Sequence, residues 1–88
     1  MHSPFFSERS GAVIFWVPIA GIDVGASVSR ETLHYRYAPL SVGEDPMATF
    51  RAHVSTLEDA VRRRVAGGSI EPVMIRERDL APIDPALR

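Results

Sequence analysis

The residues able to do chemistry are few, and their types narrow the choices at once. The 88-residue chain has three histidines (His2, His34 and His53), eleven acidic residues and ten arginines, with no lysine and no cysteine. Without cysteine there is no thiolate nucleophile, no disulfide and no cysteine metal site. Without lysine there is no Schiff base and no phosphate-loop lysine. No two histidines stand three or four apart, and none belongs to a recognisable carboxylate–histidine cluster. A zinc site needs three or four converging ligands, so neither a metal nor any other cofactor is expected. Gly25-Ala26-Ser27-Val28-Ser29 lacks the second glycine of a nucleophile elbow. Glu58 and Asp59 are neighbours and point different ways on a helix, so they do not pair as general acid and base. Gly67-Gly68-Ser69 follows a helix instead of opening one, which suits a cap and not a phosphate cradle. No catalytic residue emerges, and an enzyme is not expected.

Two binding surfaces do emerge. Arg62, Arg63 and Arg64 form the one basic run, with Arg51 on the same segment, and such a face can contact phosphate. The formal charge is −1, however, and Glu58 and Asp59 stand where they can pair with Arg62 and Arg63. The use of arginine alone as cation, together with the lack of lysine, asparagine and glutamine, also fits the codon bias of a GC-rich genome. A solvated, ion-paired helix end is the preferred reading, and nucleic acid is not expected as the main partner. The second surface is Ile14, Trp16 and Met74, an apolar patch anchored by the single tryptophan.

The elements that must position these residues follow from periodicity. Ala12–Val17 is β-branched and aromatic and reads as a strand, apolar on both faces: Val13, Phe15 and Val17 on one, Ile14 and Trp16 on the other. Ala20-Gly21 suits a turn. In residues 22–28, Ile22, Val24, Ala26 and Val28 alternate with Asp23, Gly25 and Ser27, a strand with one buried face. Within residues 29–38, Ser29 can cap a short helix that Pro39 ends, although Leu33, Tyr35 and Tyr37 also alternate as a strand would. Asp45 and Pro46 open the strongest signal, an apolar stripe of Met47, Phe50, Val54, Leu57, Val61 and Val65. The spacing predicts one helix over residues 46–66, stopped by Gly67-Gly68. Residues 70–78 return as a strand, with Pro72 near its start.

The predicted fold is α+β: a small antiparallel sheet, β-β-α-α-β with strand order 2-1-3, and the long amphipathic helix 46–66 across one face. One domain over residues 1–88 is expected, ordered from about 11 to 80, with 1–10 and 81–88 flexible. Phe5 and Phe6 are free either to tuck against the body or to add a short edge strand. Residues 12–20, AVIFWVPIA, loosely resemble an export signal, but Glu8 offsets Arg9 and Pro18 interrupts the run. The run is also too short to span a membrane. A cytoplasmic protein without membrane contact is expected.

Several residues, in this order and spacing, resemble the bacterial domain-of-unknown-function family 1488. They are Val13 to Trp16, Ser29-Arg30-Glu31 through Leu33, Phe50-Arg51-Ala52-His53, Gly67-Gly68, Glu71-Pro72-Val73 and Asp79-Leu80. The resemblance spans roughly residues 12–80 and implies a small α+β domain of bacterial origin. It supplies no activity, cofactor or site residue. The segment Tyr35-Arg36-Tyr37 departs from the pattern, where the family looks more plainly helical. The functional expectation is a protein-interaction module, with an unidentified protein or a second copy as partner. A weak nucleic-acid binder using Arg62–Arg64 is the alternative.

Overall fold

The computed structural model of the chain describes residues 3–80. In chain order the elements are β1 (Phe5–Ser7), β2 (Ala12–Ile19), β3 (Ile22–Ser29), α1 (Arg30–Tyr37), α2 (Pro46–Ala52), α3 (Val54–Ala66), β4 (Val73–Ile75) and α4 (Glu77–Leu80). The α+β class holds. Residues 81–88, expected to be flexible, lie outside the described residues.

The hairpin forms where the alternation placed it. β2 and β3 pair antiparallel from Ala12↔Ser29 to Ile19↔Ile22. The two residues between them, Ala20 and Gly21, have φ of 52° and 80°. Two successive positive φ values give the turn whose twist matches that of the strands. Ser29 caps α1 by accepting from the Thr32 N–H at 3.0 Å, so of the two readings of residues 29–38 the chain adopts the helix.

The strand order differs from expectation. The sheet runs β1-β2-β3-β4, and β4 pairs parallel with β3 through Ala26↔Val73 and Val28↔Ile75. Order 2-1-3 is therefore wrong, and the sheet is mixed, antiparallel in its hairpin as expected but parallel between β3 and β4. Parallel neighbours need a long crossover, and the three helices between residues 30 and 66 supply it. The edge of β2 expected to receive the last strand is taken by Phe5–Ser7, in register Phe5↔Ile14 and Phe6↔Val13. Of the two readings open for Phe5 and Phe6, the short edge strand is thus the one formed, within a segment expected to be flexible.

Two further boundaries move. The single helix 46–66 is two helices, because His53 leaves the helical region with φ −127° and ψ 20°. Its imidazole stacks on the Tyr37 ring, with centroids 3.7 Å apart and planes 5° apart. The bend lets α2 follow β1 and β2 while α3 follows β2 and β4. The strand 70–78 shortens to Val73–Ile75, because the Asp79 carboxylate accepts the Arg76 N–H at 2.9 Å and turns the chain into α4.

The core lies between the sheet and the helices. β2 contributes Val13, Phe15 and Val17, each at most 1% exposed. The Phe15 and Phe50 rings meet with centroids 5.0 Å apart. Leu33, Leu57, Val61 and Leu80 join the cluster from α1, α3 and α4, and Ala26, Val28, Val73 and Ile75 from β3 and β4. Every fully buried helix residue belongs to this one cluster. The thinnest dimension of the molecule is 19 Å, which one sheet and one layer of helices, each about 10 Å across, fill.

Candidate interaction site

The face of the sheet turned away from the helices carries the residues of opposite parity. Strand register sorts them into rows. Phe5, Ile14, Ser27 and Met74 are level with one another, because Phe5↔Ile14, Ile14↔Ser27 and Ser27↔Met74 are paired positions. Trp16 and Gly25 form the next row, with Pro72 level with Gly25 one residue before the Ala26↔Val73 pair. Ile14, Trp16 and Met74, expected to share a patch, do line one groove, of about 570 Å³. The small residues Gly25 and Ser27 make its floor, with Ile14 and Trp16 on one side and Pro72 and Met74 on the other. Trp16 is half-buried and has Phe5 beside it, ring centroids 6.2 Å apart. Phe5 and Met74, on the two edge strands, are 49% and 54% exposed.

Charge differs between the two ends of this groove. Arg76 stands exposed at the end where Ala12 pairs with Ser29. At the other end Glu71 is exposed, and its Oε2 accepts the Gly25 N–H at 2.8 Å. That bond explains how β3 continues past the end of β4: a carboxylate takes the place of the missing strand acceptor. Gly25 has to be small here, since a Cβ would meet Glu71 Oε2 at 3.1 Å and Trp16 Nε1 at 3.6 Å. Asp23, exposed and two residues before Gly25, adds a second acid to the same end. No local pattern marks the Glu71–Gly25 contact, because the two residues lie 46 positions apart.

The arginines are not gathered into one open face. Arg62 pairs with Glu58 at 3.9 Å and with Asp59 at 3.2 Å. The expected Asp59–Arg63 pair is not formed: Arg63 donates instead to the Asp79 carbonyl at 2.8 Å. Arg64 is a clasp. It donates from Nη1 to the Asp79 carboxylate at 2.8 Å and to the Met74 carbonyl at 2.9 Å, and from Nε to Ser69 Oγ at 3.0 Å. Arg51 is exposed on α2.

A carboxylate–histidine pair does exist, contrary to expectation. His34 Nδ1 on α1 bonds Glu44 Oε1 in the loop before α2, and Thr49 Oγ1 donates to Glu44 Oε2 at 2.8 Å. The Thr49 hydroxyl and the His34 ring hold the Glu44 carboxyl below its usual range, against a smaller opposing effect of desolvation. Ten residues separate His34 from Glu44, a distance no helical or strand spacing reveals. The pair borders a second, shallower hollow of about 320 Å³. At the end of α1, the Tyr37 hydroxyl is buried without a hydrogen-bond partner, and burial pushes its pKa up, opposed by the nearby Arg36 cation. No group of three or more His, Asp or Glu side chains suited to a metal occurs among the described residues. No helix among them is long and apolar enough to cross a membrane.

A family model described as "Protein of unknown function (DUF1488)" matches residues 2–75. The chain belongs to the DUF1488 family. The matched span runs from before β1 to the last residue of β4, and so takes in Ile14, Trp16, Glu71 and Met74. No curated protein and no solved structure matches the chain.

Proposed function

We propose that this DUF1488 protein works by binding, and that the groove face around Trp16 receives a protein partner. The supporting observation is the placement of Ile14, Trp16 and Met74 on the face of the sheet opposite the helix layer, with Phe5 and Met74 about half exposed. Apolar side chains clustered on one face mark interaction surfaces, and an aromatic anchor is the usual centre of one. Catalysis has no part in this reading. The His34–Glu44 pair joins α1 to the loop ahead of α2 and so serves as a tie. Nucleic acid ranks second to protein, because Arg62, Arg63 and Arg64 direct donors at acceptors within the chain. A bacterial cytoplasm is the setting we propose; a chain without cysteine needs no oxidising compartment to fold.

Trp16 is the single tryptophan, so its emission reports on this face alone. In dilute protein we expect acrylamide to quench it. Emission that stays blue-shifted and fully protected in the dilute monomer overturns the reading.

A further inference from the structure

We infer that the partner of this face is a second copy of the same chain, packed face to face about a two-fold axis that lies across the strands. The inference rests on the binding reading above and names its occupant. Its basis is the order of charge along β4. Glu71 stands before the strand and Arg76 after it, both exposed, with Pro72 and Met74 between them on the groove face. A two-fold axis perpendicular to the strands reverses that order in the second copy. Arg76 of each copy then lies at the end of the other that carries Glu71, within one residue of it along the strand, and the contact forms twice. A patch used by both subunits must be complementary to itself, and a strip with opposite charges at its two ends meets that condition.

The apolar rows agree with the same operation. Reversal exchanges the row of Ile14, Ser27 and Met74 with the row of Trp16, Gly25 and Pro72. Trp16 of one copy then covers Ile14 of the other, and Met74 covers Pro72. The small floor residues Gly25 and Ser27 face each other and leave the depth that Trp16 and Met74 need. Asp23 adds its charge at the acidic end, toward the second copy's Arg76. An axis along the strands keeps the levels unchanged, so it puts both copies' Arg76 at one end of the interface and both copies' Glu71 at the other.

The test uses the full chain and measures mass by sedimentation velocity at about 50 mM salt, where exposed charges are weakly screened. Wild type should move from 9.7 kDa toward twice that mass as concentration rises, with Trp16 quenching falling in parallel. R76E places like charges opposite each other twice and should weaken association by about tenfold or more. E71R should do the same. Mixed together, the two variants carry complementary charges at both contacts and should form the heterodimer. Circular dichroism of each variant checks the fold. A wild-type chain that stays monomeric at millimolar concentration, with Trp16 open to quencher, overturns the second copy as occupant and leaves the binding face standing. A monomer with Trp16 protected overturns both. A dimer indifferent to R76E, or a mixture of the two variants that does not associate, overturns the two-fold arrangement.

Discussion

The two faces of the central strand β2 are equally apolar and meet different fates. Val13, Phe15 and Val17 point at the helices and are closed off from water, whereas Ile14 and Trp16 point away and remain half-buried. Strand alternation assigns each residue to a face but says nothing about what lies above that face. The lesson is that an apolar face needs an opposing layer before its composition becomes stability. On the helix side Phe50, Leu57 and Val61 provide that layer. On the other side Phe5 lies beside Trp16, which stays only half-buried.

The largest effect should come from breaking the helix side. Phe50→Ala opens a cavity against Phe15 and should cost about 3–5 kcal/mol in chemical denaturation, enough to threaten a domain of this size. Unchanged stability would show that the buried face is assigned wrongly. Arg64→Ala should cost about 2 kcal/mol, because it strips charge-assisted bonds from the half-sheltered Asp79 and from the Met74 carbonyl. Arg62→Ala, which breaks only exposed pairs, should cost under about 0.5 kcal/mol, and equal losses for the two would remove the distinction. On the groove side, Trp16→Ser should cost the monomer only about 1 kcal/mol, since that ring is already partly wet. A loss as large as that of Phe50→Ala would mean that both faces are core.

Smaller still is Ala20→Gly, which should add about 0.5 kcal/mol. It relieves a left-handed alanine, and part of the gain is lost to the freedom of glycine in the unfolded chain. A lower melting temperature would contradict the turn geometry. The mildest probe is Glu44. Its folded-state pKa is depressed, so its contribution to stability is complete above the ordinary carboxylate range and is lost as pH falls through the folded value. Thr49→Val removes the largest cause and should raise the Glu44 titration midpoint measured by NMR. A midpoint that does not move would contradict the Thr49 bond.

What could be read from the chain, and what could not, divides by distance along it. The hairpin, the Ser29 cap, the Asp45 cap and the stripe from Met47 to Val65 depend on neighbours within a few residues, and each is where periodicity and capping chemistry placed it. The common face of Ile14 and Trp16 was equally legible, since parity alone decides it. Phe5–Ser7 was less so, because three residues carry too little pattern to distinguish a strand from a lead-in. The His34–Glu44 and Glu71–Gly25 contacts had no local signal at all. Nor did the break at His53, where the imidazole stacks on Tyr37 and no glycine or proline interrupts the stripe.

The sequence by itself determined the kind of each main element, the residues each would bury, and the chemistries ruled out by the missing cysteine and lysine. These rest on period, capping and side-chain type, which act over a turn or a pair of residues. Only the tertiary structure decided that β4 joins β3 in parallel, that Arg64 clasps Asp79 instead of facing solvent, and that the acid and base flanking Met74 stand at opposite ends of one groove. Those outcomes depend on how a three-helix crossover returns the chain to the sheet, and no local preference encodes where such a path will end.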